Sequence, residues 1–200
     1  MLDPIQASAL LSDYGIVSPP QAIVKGRNEL ASLNSRVGLP IALKLWSADL
    51  IHKSDAGGVK LSLRTEKELE SAYDELSAIA SSISGGSRIL AQKMVTGSPE
   101  LIVGAKRDPI FGPVLAFGIG GLLTEVYRDV SMCVHPWTEN NIREMLDSIK
   151  GKALLEGYRG SKKVDKDGLA SLINNIGRMM LERREISAID LNPLIAAQYC

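Results

Sequence analysis

The sequence predicts a two-lobed α+β protein with a polar site between its lobes. Strand-like alternation and helix-like periodicity follow one another in two sets. A Ser-Gly-Gly-Ser break at residues 84–87 separates those sets. The densest polar cluster, His52-Lys53-Ser54-Asp55-Ala56-Gly57-Gly58, falls between two strands of the first set. A chain of 200 residues can build one large core or two small lobes around a cleft.

The first set opens with residues 4–14, a helix that stops at Gly15, with Pro19 and Pro20 punctuating the exit. A short strand is expected at 22–25, and a second helix at 28–37, ended by Gly38 and Pro40. Ile41–Trp46 (IALKLW) alternates sharply and puts Lys44 on the face opposite Leu43 and Leu45. Residues 59–64 (VKLSLR) alternate again, with Lys60, Ser62 and Arg64 on one face. Residues 66–81 form an amphipathic helix whose acidic first turn suits the positive end of a helix dipole.

Past the break, residues 88–95 and 100–105 are expected to pair as strands around Thr96-Gly97-Ser98-Pro99. Residues 108–113 (DPIFGP) make a rigid turn, and the apolar strand at 114–117 runs into Gly118-Ile119-Gly120-Gly121. Helices follow at 139–150 and 165–183, and residues 186–195 (ISAIDLNPLI) form a late strand.

Composition narrows the function. Lys and Arg total 23 and Asp and Glu total 23, so no global field draws the chain to nucleic acid or to an anionic membrane. Any anion must be held by local groups. Cys133 and Cys200 offer neither metal spacing nor a disulfide framework. The N-terminus lacks a basic n-region, and no apolar run is long enough to span a bilayer, so a cytoplasmic protein is expected.

Three places could carry chemistry. Gly57 and Gly58 let backbone N–H groups approach an anion, and a neighbouring neutral imidazole, His52, is a nucleophile near pH 7. A plain hairpin turn with a surface histidine fits the same residues. Lys44 interrupts an apolar strand, so its ammonium either meets an anion or snorkels to water from an edge strand. Asp190 and Asn192, two apart on a strand, share a face, and a carboxylate with an amide oxygen suits Mg²⁺. Pro193 is then expected to end the ladder; a strand-end Asx turn closed by Asn-Pro is the bland alternative. The 118–121 loop with Glu125 and Asp129 is a further candidate for phosphate or a partner, but it lacks the register of a dinucleotide fingerprint.

Taken together, the segments LKLWSADLIHKSDAGGV (43–59), LAQKMVTGSPELIVGAKRDPIFGPVLAFGIGGLLTEVYRDVS (90–131), IKGKALLEGYRG (149–160) and IDLNPL (189–194) resemble the nucleotide-binding β subunit of the NDP-forming acetate–CoA ligases, the ADP-forming acyl-CoA synthetases. The resemblance runs over nearly the whole chain. It implies a single ATP-grasp domain over 1–200, with a first lobe at 21–90 carrying the HKSDAGGV loop. The second lobe at 91–200 would carry the metal-side strand, and a helix within 1–20 would pack on the domain. The nucleotide would lie between the lobes.

The implied reaction is acyl-CoA + ADP + phosphate giving carboxylic acid + CoA + ATP, reversibly. A CoA-binding α subunit would form the acyl phosphate, set the acyl specificity and pass the phosphoryl group on, giving a hetero-oligomer. By the resemblance, His52 relays that group to the nucleotide and Lys44 contacts its phosphates, beside the Gly57-Gly58 amides. Gln92, Lys93, Met94 and Val95 form the hinge beside the adenine, Glu100 is an acidic nucleotide contact, and Asp190 and Asn192 stand on the Mg²⁺ side. The implied ligands are Mg²⁺ and ATP or ADP.

The chain departs from the family pattern at Ala188, where an acidic residue is usual, and at Met132-Cys133, where phenylalanine-arginine is usual. The family also continues beyond the Asn-Pro run into a strand whose aspartate completes the site, whereas this sequence stops at Cys200. Two other functions stay open: a non-catalytic nucleotide-binding or regulatory ATP-grasp module, and another ATP-grasp carboxylate ligase. The latter class uses acyl phosphates without a relay histidine.

Overall fold

A computed structural model describes residues 2–47, 57–83, 87–97, 99–121, 129–158 and 162–196. The chain forms two compact units, Met1–Asp13 with Val17–Val95, and Tyr14–Ile16 with Thr96–Cys200.

The first unit contains α1 (Pro4–Asp13), β1 (Gln21–Val24), a 3-10 segment (Arg27–Ser32) that runs into α2 (Leu33–Arg36), β2 (Ile41–Trp46), β3 (Val59–Leu63), α3 (Glu66–Ser81) and β4 (Arg88–Lys93). Its sheet is antiparallel, in the order β1-β4-β2-β3. Alternation divides the two faces. Ala22, Val24, Leu43, Leu45, Ile89 and Ala91 meet Leu69, Ala72 and Leu76 of α3 in one buried cluster. On the opposite face stand Gln21, Ala42, Lys44, Trp46, Arg88, Leu90 and Gln92, with Trp46 opposite Arg88 and Gln21 opposite Gln92. Lys44 therefore lies on the face expected for it. Thr65 starts α3 with a capping box: its hydroxyl accepts from the Glu68 N–H at 3.3 Å, and the Glu68 carboxylate accepts from the Thr65 N–H at 3.1 Å.

The second unit contains β5 (Glu100–Asp108), β6 (Gly112–Ile119), β7 (Val130–Val134), α4 (Glu139–Ser148), a 3-10 segment (Lys150–Leu154), α5 (Lys166–Glu182) and β8 (Ala188–Ile195). The antiparallel order is β7-β6-β5-β8. Leu101, Val103, Ala105, Leu115 and Phe117 are buried on the face that α4 and α5 cover, together with Ile142, Met145, Leu146, Ile173 and Ile176. The other face carries Ile102, Gly104, Ala116, Gly118, Met132 and Asp190.

Four expectations need correction. The helix expected at 28–37 divides into a 3-10 segment and one α turn, where three-residue spacing brings Leu30 and Leu33 inward, followed by Val37, buried at the C-cap. The simple alternation of 59–64 fails at a bulge: Ile41 pairs with Leu63 but Leu43 pairs with Lys60, leaving an extra residue in β3. Ser62 takes a left-handed φ of 60° there. Lys60 consequently faces α3 and pairs with Glu75. Strands β4 and β5 do not pair with each other. Strand β4 lies between β1 and β2, while β5 lies between β6 and β8. Pro193 does not end its ladder either: a bulge between the Leu101–Leu194 and Val103–Leu191 pairs absorbs it, and β8 continues to Ile195. Strand β7 is additional to the elements expected from sequence, and no described helix is long and apolar enough to cross a membrane.

Gly177 offers a sharp test of packing in the second unit. A Cβ there would lie 2.4 Å from Cζ2 of Trp137, an indole that also stacks edge-on against His135 at 5.2 Å. Helix propensity alone would make Gly177→Ala stabilising by about 1 kcal/mol. The overlap with a rigid ring should reverse that sign, lowering the urea midpoint in equilibrium unfolding. A raised midpoint would mean that Trp137 is free to move.

Candidate functional site

The first unit places its polar candidates on the sheet face away from the core. Lys44 is partly buried, and its Nζ donates to Oε1 of Gln92 at 2.7 Å. Both residues belong to adjacent strands, one register step apart, because Lys44 opposes Leu90 and Ala42 opposes Gln92. Nε2 of Gln92 donates in turn to Oε1 of Gln21 at 3.4 Å, and Nε2 of Gln21 donates to the Pro4 carbonyl at 3.1 Å. The register that aligns Gln21 with Gln92 links strands 71 residues apart in sequence, so periodicity within either strand gives no sign of it.

Gly57 and Gly58 lead directly into β3. Lys44 pairs with Val59, and the Leu45 N–H donates to the Gly58 carbonyl at 2.7 Å, so both ends of the intervening segment are fixed beside Lys44. Gly57 has φ +67°, a left-handed conformation that glycine adopts without penalty. His52 lies outside the described residues, as does the rest of 48–56.

The stretch expected as a hinge is held by its backbone. The Lys93 N–H donates to the Pro20 carbonyl at 2.8 Å and the Met94 N–H to the Pro40 carbonyl at 2.9 Å. Met94 Sδ accepts the Ser62 N–H at the β3 bulge, at 2.9 Å. Val95 is exposed.

In the second unit, Glu100 opens β5 and stays exposed. The Gly120 N–H donates to the Glu100 carbonyl at 2.7 Å, and a Cβ on Gly120 would stand 3.1 Å from the Glu100–Leu101 backbone. Gly121, at φ +79°, would bring a Cβ within 3.2 Å of Oε2 of Glu100. The glycine-rich loop is thus folded onto Glu100, and close backbone approach explains its composition. Asp129 is occupied structurally. Its two carboxylate oxygens accept from the Lys150 and Gly151 N–H groups, both at 2.7 Å, at the start of the 3-10 segment.

Asp190 and Asn192 are both exposed; Asp190 pairs with Gly104 on the sheet face away from the helices, while Asn192 lies within the β8 bulge, between Leu191 and Leu194. Although Asp190 is exposed overall, desolvation of its carboxyl beside the sheet raises that group above its usual value. No cluster of three or more His, Cys, Asp or Glu ligands occurs among the described residues. An ion that shares its shell with phosphates and water needs fewer: one carboxylate and one amide oxygen fit Mg²⁺.

A family model described as the ATP-grasp domain matches residues 1–199. Acetate–CoA ligase [ADP-forming] I of Archaeoglobus fulgidus is 40% identical over 188 residues, which is 92% of this chain and 27% of that protein. The β subunit of acetate–CoA ligase [ADP-forming] I of Pyrococcus furiosus is 36% identical over 194 residues, 96% of this chain and 84% of that one. The chain therefore spans about a quarter of the first relative and most of the second. A solved structure of the dinucleotide-forming acetyl-coenzyme A synthetase 1 of Ca. Korarchaeum cryptofilum holds coenzyme A and Mg-AMPPCP, with a phosphohistidine segment pointing towards its nucleotide binding site. It superposes with a TM-score of 0.77 at 37% identity, covering 96% of this chain and 84% of that chain. The chain belongs to the ATP-grasp family, in the group of ADP-forming acetate–CoA ligase β subunits, and has the α+β ATP-grasp fold that its sequence implied.

The raised Asp190 carboxyl has a measurable consequence. Its native pKa lies above the unfolded one, so ionisation costs the folded state more than the unfolded state. Asp190→Asn should therefore raise the thermal midpoint of the nucleotide-free protein slightly at pH 7. The gain should vanish as pH falls through the native pKa towards the unfolded value. A gain that persists unchanged in acid would remove desolvation as its cause.

Proposed function

We propose that this chain is the nucleotide-binding component of an ADP-forming acyl-CoA synthetase, working with a CoA-binding partner subunit. The reaction is acyl-CoA + ADP + phosphate giving carboxylic acid + CoA + ATP, in either direction. The observation that carries the reading is the Lys44–Gln92 pair, a cation with an oriented acceptor on a sheet face away from the core.

Lys44 contacts the nucleotide phosphates and the Gly57 and Gly58 backbone lies beside them, so that donors are in place before charge develops. Gln92, Lys93, Met94 and Val95 line the base, and Glu100 accepts from the nucleotide. Asp190 and Asn192 hold Mg²⁺, which supplies charge neutralisation on the phosphates when bound. His52 receives the phosphoryl group from the partner, its imidazole nitrogen forming a P–N bond as the donor's bond to phosphorus breaks. It then yields the group to the terminal phosphate oxygen of ADP. Acyl chemistry and nucleotide chemistry are thereby kept on separate polypeptides.

A second reading, a nucleotide-binding module without turnover, is favoured by one observation. Where the family carries an arginine this chain has Cys133, partly buried, beside the exposed Met132, so no cation stands there.

Both readings are tested with Mg²⁺, γ-labelled ATP and a candidate CoA-binding subunit. Acid-labile, base-stable label on wild type that disappears in His52→Ala is the expected result. Nucleotide binding without label would favour the module. Label that persists in His52→Ala would remove the relay assignment.

A further inference from the structure

We propose that Gln21 is a positioning residue for Lys44, acting through Gln92. The inference rests on the reading of Lys44 as a contact of the nucleotide phosphates. It starts from the directions of three consecutive hydrogen bonds. The Pro4 carbonyl can only accept, so the Gln21 atom 3.1 Å from it is the amide nitrogen Nε2. That turns Oε1 of Gln21 towards Gln92, whose own Nε2 lies 3.4 Å away. Gln92 then presents Oε1 to the ammonium of Lys44, at 2.7 Å. The chain has an acceptor-only group at one end and a donor-only group at the other. Reversing either amide would set an NH₂ group against the ammonium or an oxygen against the Pro4 oxygen. Each glutamine therefore has one workable orientation.

Glutamine and lysine are among the side chains with most rotamer freedom to lose. Holding Gln92 at both ends restricts the sweep of Lys44 before any ligand arrives, which reduces the ordering left to do on binding. The same chain accounts for α1, a helix with no fully buried residue. Polar ties hold it to the sheet: the Gln21 amide on Pro4, and Asp3 with Arg88 at 3.6 Å. Its carbonyl is the fixed end against which the glutamines are aligned. Gln21 touches no reacting group, so its effect on the phosphates must pass through Gln92 to Lys44.

A double-mutant cycle on the full chain reads that route, with Mg-ADP affinity measured by calorimetry. Gln21→Met keeps the length of the side chain and removes both hydrogen bonds. It should raise the Kd for Mg-ADP by roughly 3- to 10-fold, the size of one oriented hydrogen bond. In a Lys44→Ala background the same change should have no further effect. An equal loss in both backgrounds would mean that Gln21 acts by anchoring α1 or through Gln92 at the base, not through Lys44, and would overturn the proposal. Gln21→Ser, too short to reach Gln92, is read in the same cycle should the methionine variant not fold. If Lys44→Ala itself leaves Mg-ADP binding unchanged, the reading of Lys44 fails and the proposal with it. If Lys44→Ala weakens binding and neither Gln21 variant does, only the proposal fails.

Discussion

A lysine ammonium cannot be set among apolar strands without an oxygen to receive its protons, and the first unit is organised around meeting that demand for Lys44. Leaving such a charge half-desolvated and unpaired would cost several kcal/mol. The carboxamide oxygen of Gln92, 2.7 Å from Nζ, answers part of that cost without neutralising the charge. A carboxylate in its place would hold the lysine in a salt bridge and compete with an incoming phosphate. An amide acceptor orients the ammonium without itself neutralising the charge.

Antiparallel register makes this arrangement possible. Strand β4, inserted between β1 and β2, puts Gln92 opposite Gln21 and one step from Lys44. The same alternation sends Leu43, Leu45, Ile89 and Ala91 to α3. Core and site are thus two faces of one pairing. A slip of one residue would exchange them, burying Lys44 and Gln92 against α3. In the second unit, bulging serves a similar end. The extra residue in β8 absorbs Pro193, keeps Leu191 and Leu194 on the side of Val103 and Leu101, and leaves Asp190 on the other.

Much of this was legible in the sequence, wherever the signal was local. The alternation of Ile41–Trp46 fixed the face of Lys44, and the period of Glu66–Ser81 marked α3. Family motifs spread over nearly the whole chain gave the fold, which no single segment could. What was not legible depends on contacts between distant segments. The partners of β4 and β5 were misassigned because a short Gly-Pro linker resembles a hairpin turn whether or not its flanking strands pair. The β3 bulge hides in the pattern VKLSL, where nothing local shows that Ser62 turns left-handed with its N–H on Met94 Sδ. Gln21 was missed for the same reason, since only tertiary register aligns it with Gln92. The glycines of 118–121 invited a phosphate-loop reading. Gly118 and Gly120 also have backbone passing close by, at Asp129 and Glu100, which a side chain there would meet.

The most direct measurement is a structure of the protein with a magnesium-bound, non-hydrolysable ATP analogue. A phosphate oxygen should stand within hydrogen-bond distance of Lys44 Nζ, with Gln92 still oriented by Gln21. A nucleotide bound elsewhere, with Lys44 and Gln92 paired as before and no phosphate beside them, would contradict the assignment at its root.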